Sequence, residues 1–135
     1  IHEGQLTYVD YSLDVLIDIG KWWNNRTDNY PMPLGGNVVR KDLGERMMKD
    51  ITNYTKMSIE YAINNPDEAL EFAKKWGRGI DDETNRKFVS MYVNQRTIDY
   101  REDGRSSIRQ FISEGQSIGL IDSNFNVDEM RFIGE

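Results

Sequence analysis

The sequence predicts an α/β fold in which two or three short strands are followed by about four helices. Two observations carry this prediction. Residues 1–40 contain short alternating and β-branched runs, whereas residues 41–135 repeat their apolar side chains about every 3.6 positions. A section with only two or three strands makes a poor sheet alone, which hints that partner strands lie outside this chain.

The first forty residues supply the predicted strands. Residues 5–9 alternate polar and apolar side chains, and residues 15–19 form a β-branched run typical of a buried strand. Residues 20–27 are long enough for one or two helical turns. The clearest loop lies at 31–37, because its prolines remove backbone donors and its glycines permit positive φ. A brief strand at 38–39 is expected after it.

The next section predicts three helices from apolar spacing and capping residues. The first ends before Pro66, and the second has Asn65 as its N-cap with Glu68 completing a capping box. Gly77 suits the end of the second helix, and Asp81 or Asp82 caps the third. The apolar positions expected to face inward are Leu43, Met47, Ile51, Tyr54 and Tyr61 in the first helix and Ala69, Phe72, Ala73 and Trp76 in the second.

A fourth helix is predicted after Asp99, which resembles a cap because Glu102 follows three positions later. Residues 94–97 before it are interpreted as a solvated polar loop. Gly104 and Gly115 lie on the inward face, which suggests close backbone contact, and Gly115 and Gly119 mark the end of the helix. Met47, Met48 and Met57 are interpreted as core residues.

Composition excludes several classes of protein. The chain has 135 residues, enough for one ordinary domain, and a net charge of −6. Unless one face is locally basic, such an acidic chain has no electrostatic reason to bind nucleic acid or an anionic membrane. It has no Cys and one His, so disulfides, thiolate metal sites and two-His zinc sites are excluded within one chain. The first residues lack the basic start and apolar stretch of a signal peptide, so none is expected here, and the start without Met indicates either processing or a piece of a longer protein.

His2 is the one side chain whose ordinary pKa, about 6.5, suits a general base at neutral pH. On a strand, Glu3 and Gln5 would share a face opposite His2, whereas a turn at Gly4 would let Glu3 orient it. The alternative is that a lone His near a chain end is simply a surface residue.

Two further segments have a functional and a structural interpretation. Trp22 and Trp23 can stack on a ring-shaped substrate, but core packing is the default for such a pair. The loop at 34–37 can offer backbone N–H groups to an anion, although it lacks the Lys and the spacing of a phosphate-binding loop. A lid, a hinge or a plain turn is the better interpretation of this loop.

Four segments, in order along the chain, resemble one enzyme family, the dihydroxynaphthoate synthases of the futalosine route to menaquinone. Any one of the matches alone would be weak. The similar segments are residues 1–8 (IHEGQLTY), residues 18–23 (DIGKWW) with Thr27, residues 31–40 (PMPLGGNVVR) running into 42–44, and residues 91–94 (MYVN) with Thr97, Asp99, Gly104 and Arg105.

The resemblance implies the two-lobed α/β fold of type-2 periplasmic binding proteins, with the active site in the cleft, in enzymes that are cytoplasmic. Family members are about twice as long as this chain, so the resemblance covers their C-terminal half. Residues 1–40 are expected to complete the second lobe with the catalytic segment and the return crossing. Residues 41–135 are expected to form a helical part that packs on the first lobe. We expect such a fragment to be inactive alone and to pair with the missing half or with itself.

The implied activity is that of a carbon–carbon lyase that cleaves cyclic dehypoxanthinyl futalosine and releases 1,4-dihydroxy-6-naphthoate. The resemblance implies that His2 is the base, that the partner is a small-molecule substrate, and that no metal or organic cofactor takes part. No nucleic-acid or membrane partner is expected. The residues expected to bind the substrate are Glu3, Gln5, Thr7, Leu34, Gly35, Gly36 and Asn37.

Two other classes of function stay open at this point. The same two-lobed fold often binds a small solute without chemistry, since a fold does not fix a function. The helical section also fits a free-standing interaction domain, provided that the chain folds stably on its own.

Overall fold

The computed structural model describes residues 4–76 and 81–134. Clustering of contacts divides the chain into a first unit, Ile1–Leu16 with Tyr54–Asp99, and a second unit, Ile17–Asn53 with Tyr100–Glu135. Within these described ranges, three short 3-10 helices lie at Tyr8–Tyr11, Lys41–Leu43 and Val127–Glu129. The α-helices are α1 (Gly4–Thr7), α2 (Ile19–Arg26), α3 (Gly44–Asn64), α4 (Pro66–Lys74), α5 (Asp82–Tyr92), α6 (Gln95–Ile98) and α7 (Arg101–Ser117).

The predicted α/β class, in its periplasmic-binding-protein form, is wrong for the described residues, which contain helices and no strand. The alternating run at 5–9 lies in α1 and the 3-10 helix after it. The runs at 15–19 and 38–39 lack a partner strand among the described residues, and Leu16 and Val38 are 97% and 98% exposed. A strand persists only where a neighbour satisfies its backbone groups, and local patterning cannot supply that neighbour.

The predicted helices from residue 43 to Tyr92 are confirmed as α3, α4 and α5. The Asp81 side chain caps α5 by accepting from the Thr84 N–H at 2.9 Å. Pro66 occupies the first turn of α4, but the capping box predicted there is wrong. Glu68 instead accepts from the Tyr61 hydroxyl at 2.8 Å. Gly77, the predicted end of this helix, lies outside the described residues.

A short helix, α6, occupies residues predicted to be a solvated loop. Its capping box pairs the Asn94 side-chain oxygen with the Arg96 N–H at 2.9 Å, and the Thr97 hydroxyl accepts from the Asn94 N–H at 3.2 Å. Asp99 is the C-cap of α6, and α7 begins two residues later with Tyr100 at its N-cap. The predicted cap at Asp99 is therefore wrong.

The end of α7 is confirmed at Gly119, whose φ is +73°. Its N–H donates to the Gln116 carbonyl at 3.0 Å, and the Leu120 N–H donates to the Gly115 carbonyl at 2.9 Å. These two bonds form a Schellman motif, which favours glycine at the left-handed position. The close contact predicted at Gly115 is also confirmed, since a Cβ there would lie 2.7 Å from Ile121 Cδ1.

The apolar faces predicted to be core are largely exposed. Of the three methionines of α3 predicted as core, Met48 is confirmed at 5% exposed, whereas Met47 and Met57 are 50% and 60% exposed. On α4, Leu70 is buried while Phe72 is exposed, and Trp76, two residues after the helix, is also exposed. Periodicity shows that one face of a helix is apolar, but it does not show that the same chain covers that face. No helix in the described part of the chain combines the length and hydropathy that a membrane span requires.

Candidate functional site

In the first unit, the predicted site segment lies at α1. His2 and Glu3, the predicted base and its neighbour, lie outside the described residues. Gln5 and Thr7 are described, and Thr7 is half-buried. The Gln5 side-chain amide, through Nε2, donates to the Tyr92 hydroxyl oxygen at 3.0 Å. This bond joins α1 to the last residue of α5, 87 positions later.

The helical form of α1 changes which predicted site residues share a face. Strand alternation would place Gln5 and Thr7 on one side, but a helix turns by about 100° per residue and separates them by about 200°. The helix begins at Gly4, the position where a turn was considered as the alternative to a strand. The Gln5 side chain therefore faces Tyr92, whereas the Thr7 side chain lies on a different side of α1.

Tyr92 is the functional candidate that sequence reasoning did not single out. Its ring packs against Phe88, one helical turn earlier, with centroids 5.0 Å apart. Its carbonyl accepts from the Thr97 hydroxyl at 2.7 Å, so the capping box of α6 fixes its backbone as well. The available signal was its place in the segment 91–94, one of the four that carry the family resemblance.

In the second unit, the loop that contains Leu34, Gly35, Gly36 and Asn37 is exposed and lies outside the helices. Its start is held by two hydrogen bonds in series. The Trp23 indole donates through Nε1 to Ser107 Oγ at 2.9 Å, and Ser107 Oγ donates to the Pro31 carbonyl at 2.7 Å. We call Trp23, Ser107 and the Pro31 carbonyl the anchor of the loop. The four predicted substrate-binding residues follow this anchor and are exposed to solvent.

Aromatic side chains surround this anchor. Trp23 is 2% exposed and meets Phe111 edge-to-face with centroids 5.5 Å apart, so the expected core packing is confirmed for Trp23. Trp22 is 45% exposed, and the Arg26 guanidinium lies 5.3 Å from its ring centroid. The Tyr100 hydroxyl borders the loop, because a Cβ at Gly36 would lie 3.5 Å from it.

Two ion pairs join charged residues that are distant in the sequence of the second unit. Arg26 binds Glu114, and Arg131 binds both carboxylate oxygens of Glu45 at 2.6 and 3.1 Å. The Arg131 hydrogen bond lowers the pKa of Glu45, and the Gln110 amide together with Arg26 lowers the pKa of Glu114. Such carboxylates stay ionised at neutral pH and serve structure. Within the described ranges, no group of three or more His, Cys, Asp or Glu is arranged to hold a metal.

Comparison with known proteins confirms the resemblance found in the sequence. Residues 1–117 match the profile of a protein family described as "Menaquinone biosynthesis". The chain belongs to this menaquinone biosynthesis family. It is 34% identical over 120 residues to "1,4-dihydroxy-6-naphtoate synthase" of Thermus thermophilus and 29% identical over 121 residues to the protein of that name from Streptomyces coelicolor.

The match covers most of this chain and less than half of its menaquinone-family relatives. The two alignments include 89% and 90% of this chain but 44% and 43% of the relatives. A crystal structure of protein AF1704 from Archaeoglobus fulgidus superimposes with a TM-score of 0.83 at 39% identity, over 90% of this chain and 46% of that one. The helical arrangement described above is therefore shared with part of a solved, longer protein.

Proposed function

We propose that the complete protein that carries these residues is a carbon–carbon lyase of menaquinone biosynthesis. Its reaction converts cyclic dehypoxanthinyl futalosine to 1,4-dihydroxy-6-naphthoate. The observation that carries the proposal is the similarity to two relatives named for this product, over about nine-tenths of the chain. The substrate and a cytoplasmic location come from the resemblance of the four sequence segments.

In this proposal His2 is the general base. Its ordinary pKa of about 6.5 lets it accept a proton at neutral pH, and removal of a substrate proton starts the carbon–carbon cleavage. Glu3, Gln5, Thr7 and the loop at 34–37 bind the substrate. The hydrogen bond between Gln5 and Tyr92 supports the proposal, because it holds a polar side chain three positions from the base.

The test is conversion of cyclic dehypoxanthinyl futalosine by the complete protein, followed by chromatography and mass spectrometry of the product. We expect His2→Asn to lower turnover by roughly 10²–10⁴-fold, the usual contribution of general-base catalysis. The control is Lys56→Gln, an exposed substitution on α3 that should leave turnover unchanged. Unchanged turnover in His2→Asn would remove His2 from the mechanism.

The same assay separates the proposed lyase from a solute-binding protein. A lyase releases the naphthoate product, whereas a binding protein retains the substrate intact, which equilibrium dialysis detects. We also expect the 135 residues alone to give no turnover, and pairing with polypeptide equivalent to the relatives' remaining length to restore it. Tight binding by the complete protein with no product would contradict the proposed function.

A further inference from the structure

Two separate segments that carry the family resemblance meet at one hydrogen bond in the first unit. Residues 1–8 contain the proposed base. Residues 91–94 comprise the last two residues of α5 and the two residues that follow it. The Gln5 amide of the first segment donates to the Tyr92 hydroxyl of the second at 3.0 Å. The proposed chemistry assigns a role to the first segment and none to the second.

Tyr92 is built to hold its hydroxyl in a fixed place. The Phe88 ring supports its ring from one side, and the Thr97 hydroxyl holds its carbonyl at 2.7 Å. Thr97 is itself fixed by the capping box with Asn94. The segment from Phe88 to Thr97 therefore presents one hydroxyl oxygen on a rigid support.

Helix α1, in contrast, has only four residues and no buried side chain. Such a short helix is not stable by itself, so long-range contacts must set the position of its side chains. The bond from Gln5 is exposed, and an exposed hydrogen bond adds little to the stability of a fold. Its effect is to fix where the Gln5 amide lies.

We infer that Tyr92 is a positioning residue, which holds the Gln5 amide in place for the substrate beside the catalytic segment. This inference rests on the proposed function for the identity of the substrate. Because Tyr92 accepts the hydrogen bond from Gln5, it acts on the substrate through Gln5. Losing the Tyr92 hydroxyl should therefore have the same effect as losing the Gln5 amide.

The contact is tested first without any activity. In the 135-residue chain labelled with ¹⁵N, the side-chain amide resonance of Gln5 is assigned by its disappearance in Gln5→Leu. We expect Tyr92→Phe to shift this resonance, and the matched variant Tyr54→Phe, at a tyrosine that is 72% exposed, to leave it unchanged. A resonance that is the same in both variants would overturn the inference.

The functional role is tested by kinetics in the complete protein. Tyr92→Phe and Gln5→Leu should each raise KM about tenfold, the value of one hydrogen bond, with the melting temperature unchanged. The double variant should show no further increase, because both changes remove the same interaction. A merely structural role would lower the melting temperature and leave KM unchanged.

Two kinetic results would overturn the inference. One is a double variant in which the two increases in KM multiply to about a hundredfold, since the residues would then act independently. The other is a Tyr92→Phe variant that is as active as Tyr54→Phe. Absence of turnover in the unsubstituted protein would contradict the proposed function alone, and the Gln5 resonance would still decide whether Tyr92 holds Gln5.

Discussion

Ser107 satisfies one buried and one part-buried polar group with a single hydroxyl. It accepts from the Trp23 indole at 2.9 Å and donates to the Pro31 carbonyl at 2.7 Å, and its own exposure is 0%. An indole N–H or a carbonyl that is removed from water and loses its hydrogen-bond partner destabilises the fold, because no bond offsets its desolvation free energy. Ser107 thereby holds the core Trp23 and the start of the loop at 31–37 together.

Ser107→Ala should lower the free energy of unfolding by about 1–3 kcal/mol, because it leaves the indole and the carbonyl without this partner. The measurement is urea denaturation of the 135-residue chain followed by Trp fluorescence. Ser106→Ala, one position earlier on α7 and half-buried, is the matched control and should change stability by less than about 0.5 kcal/mol. Equal losses in the two variants would contradict this role for Ser107.

At the residue scale, the sequence predicted members of the candidate site but not the contacts between them. Gln5 and the loop at 34–37 were predicted from motifs. Tyr92 and Ser107 were not, because their partners Gln5 and Trp23 lie 87 and 84 positions away in the sequence. Hydrogen bonds between residues so far apart in the sequence form only in the folded chain, so the local spacing of residues cannot predict them.

At the element scale, local signals predicted the helices well. The cap at Asp81, the proline at the start of α4 and the glycine after α7 all act within one turn of the chain. The strands were wrong because pairing needs a second segment. The inward faces of α3 and α4 were wrong for a related reason, since burial depends on what covers an apolar face.

The two adjacent methionines of α3 test which face of this helix is core. Met48→Ala should lower the free energy of unfolding by about 2–5 kcal/mol, the usual cost of truncating a buried Met. Met47→Ala should change it by less than about 1 kcal/mol, because Met47 is 50% exposed and Met48 is 5% exposed. Both variants gain the same helix propensity from Ala, so Met47→Ala is a matched control.

The measurement is chemical denaturation of the 135-residue chain by urea, monitored by circular dichroism. A larger loss in Met47→Ala than in Met48→Ala would contradict the assignment of the Met48 side of α3 to the core.

At the scale of the whole molecule, α3 contributes residues to both units, because the division falls between Asn53 and Tyr54 inside this helix. The second unit also joins distant parts of the chain through ion pairs. Arg26 and Glu114 are 88 positions apart, and Glu45 and Arg131 are 86 apart. These pairs link the beginning and the end of the unit, so their ionisation affects the folding stability of the whole unit.

The stability of the second unit should therefore decrease in acid. The folded-state pKa of Glu45 and of Glu114 is lowered, by Arg131 for Glu45 and by Gln110 and Arg26 for Glu114. A lowered folded pKa contributes stability that is complete above the unfolded pKa, about 4.3, and is lost as pH falls through the folded value. We expect the melting temperature to fall from about pH 5 downward.

Glu45→Gln should reduce this acid dependence, because one of the protonation steps that weaken the unit is removed. The melting temperature at neutral pH should be slightly lower than in the unsubstituted chain, and the decrease toward acid should be smaller. Glu60→Gln, a substitution on α3 outside both ion pairs, is the control and should keep the original slope. The measurement is thermal unfolding by calorimetry across the acid range. Identical slopes for Glu45→Gln and Glu60→Gln would show that the bond from Arg131 to Glu45 does not couple protonation to folding.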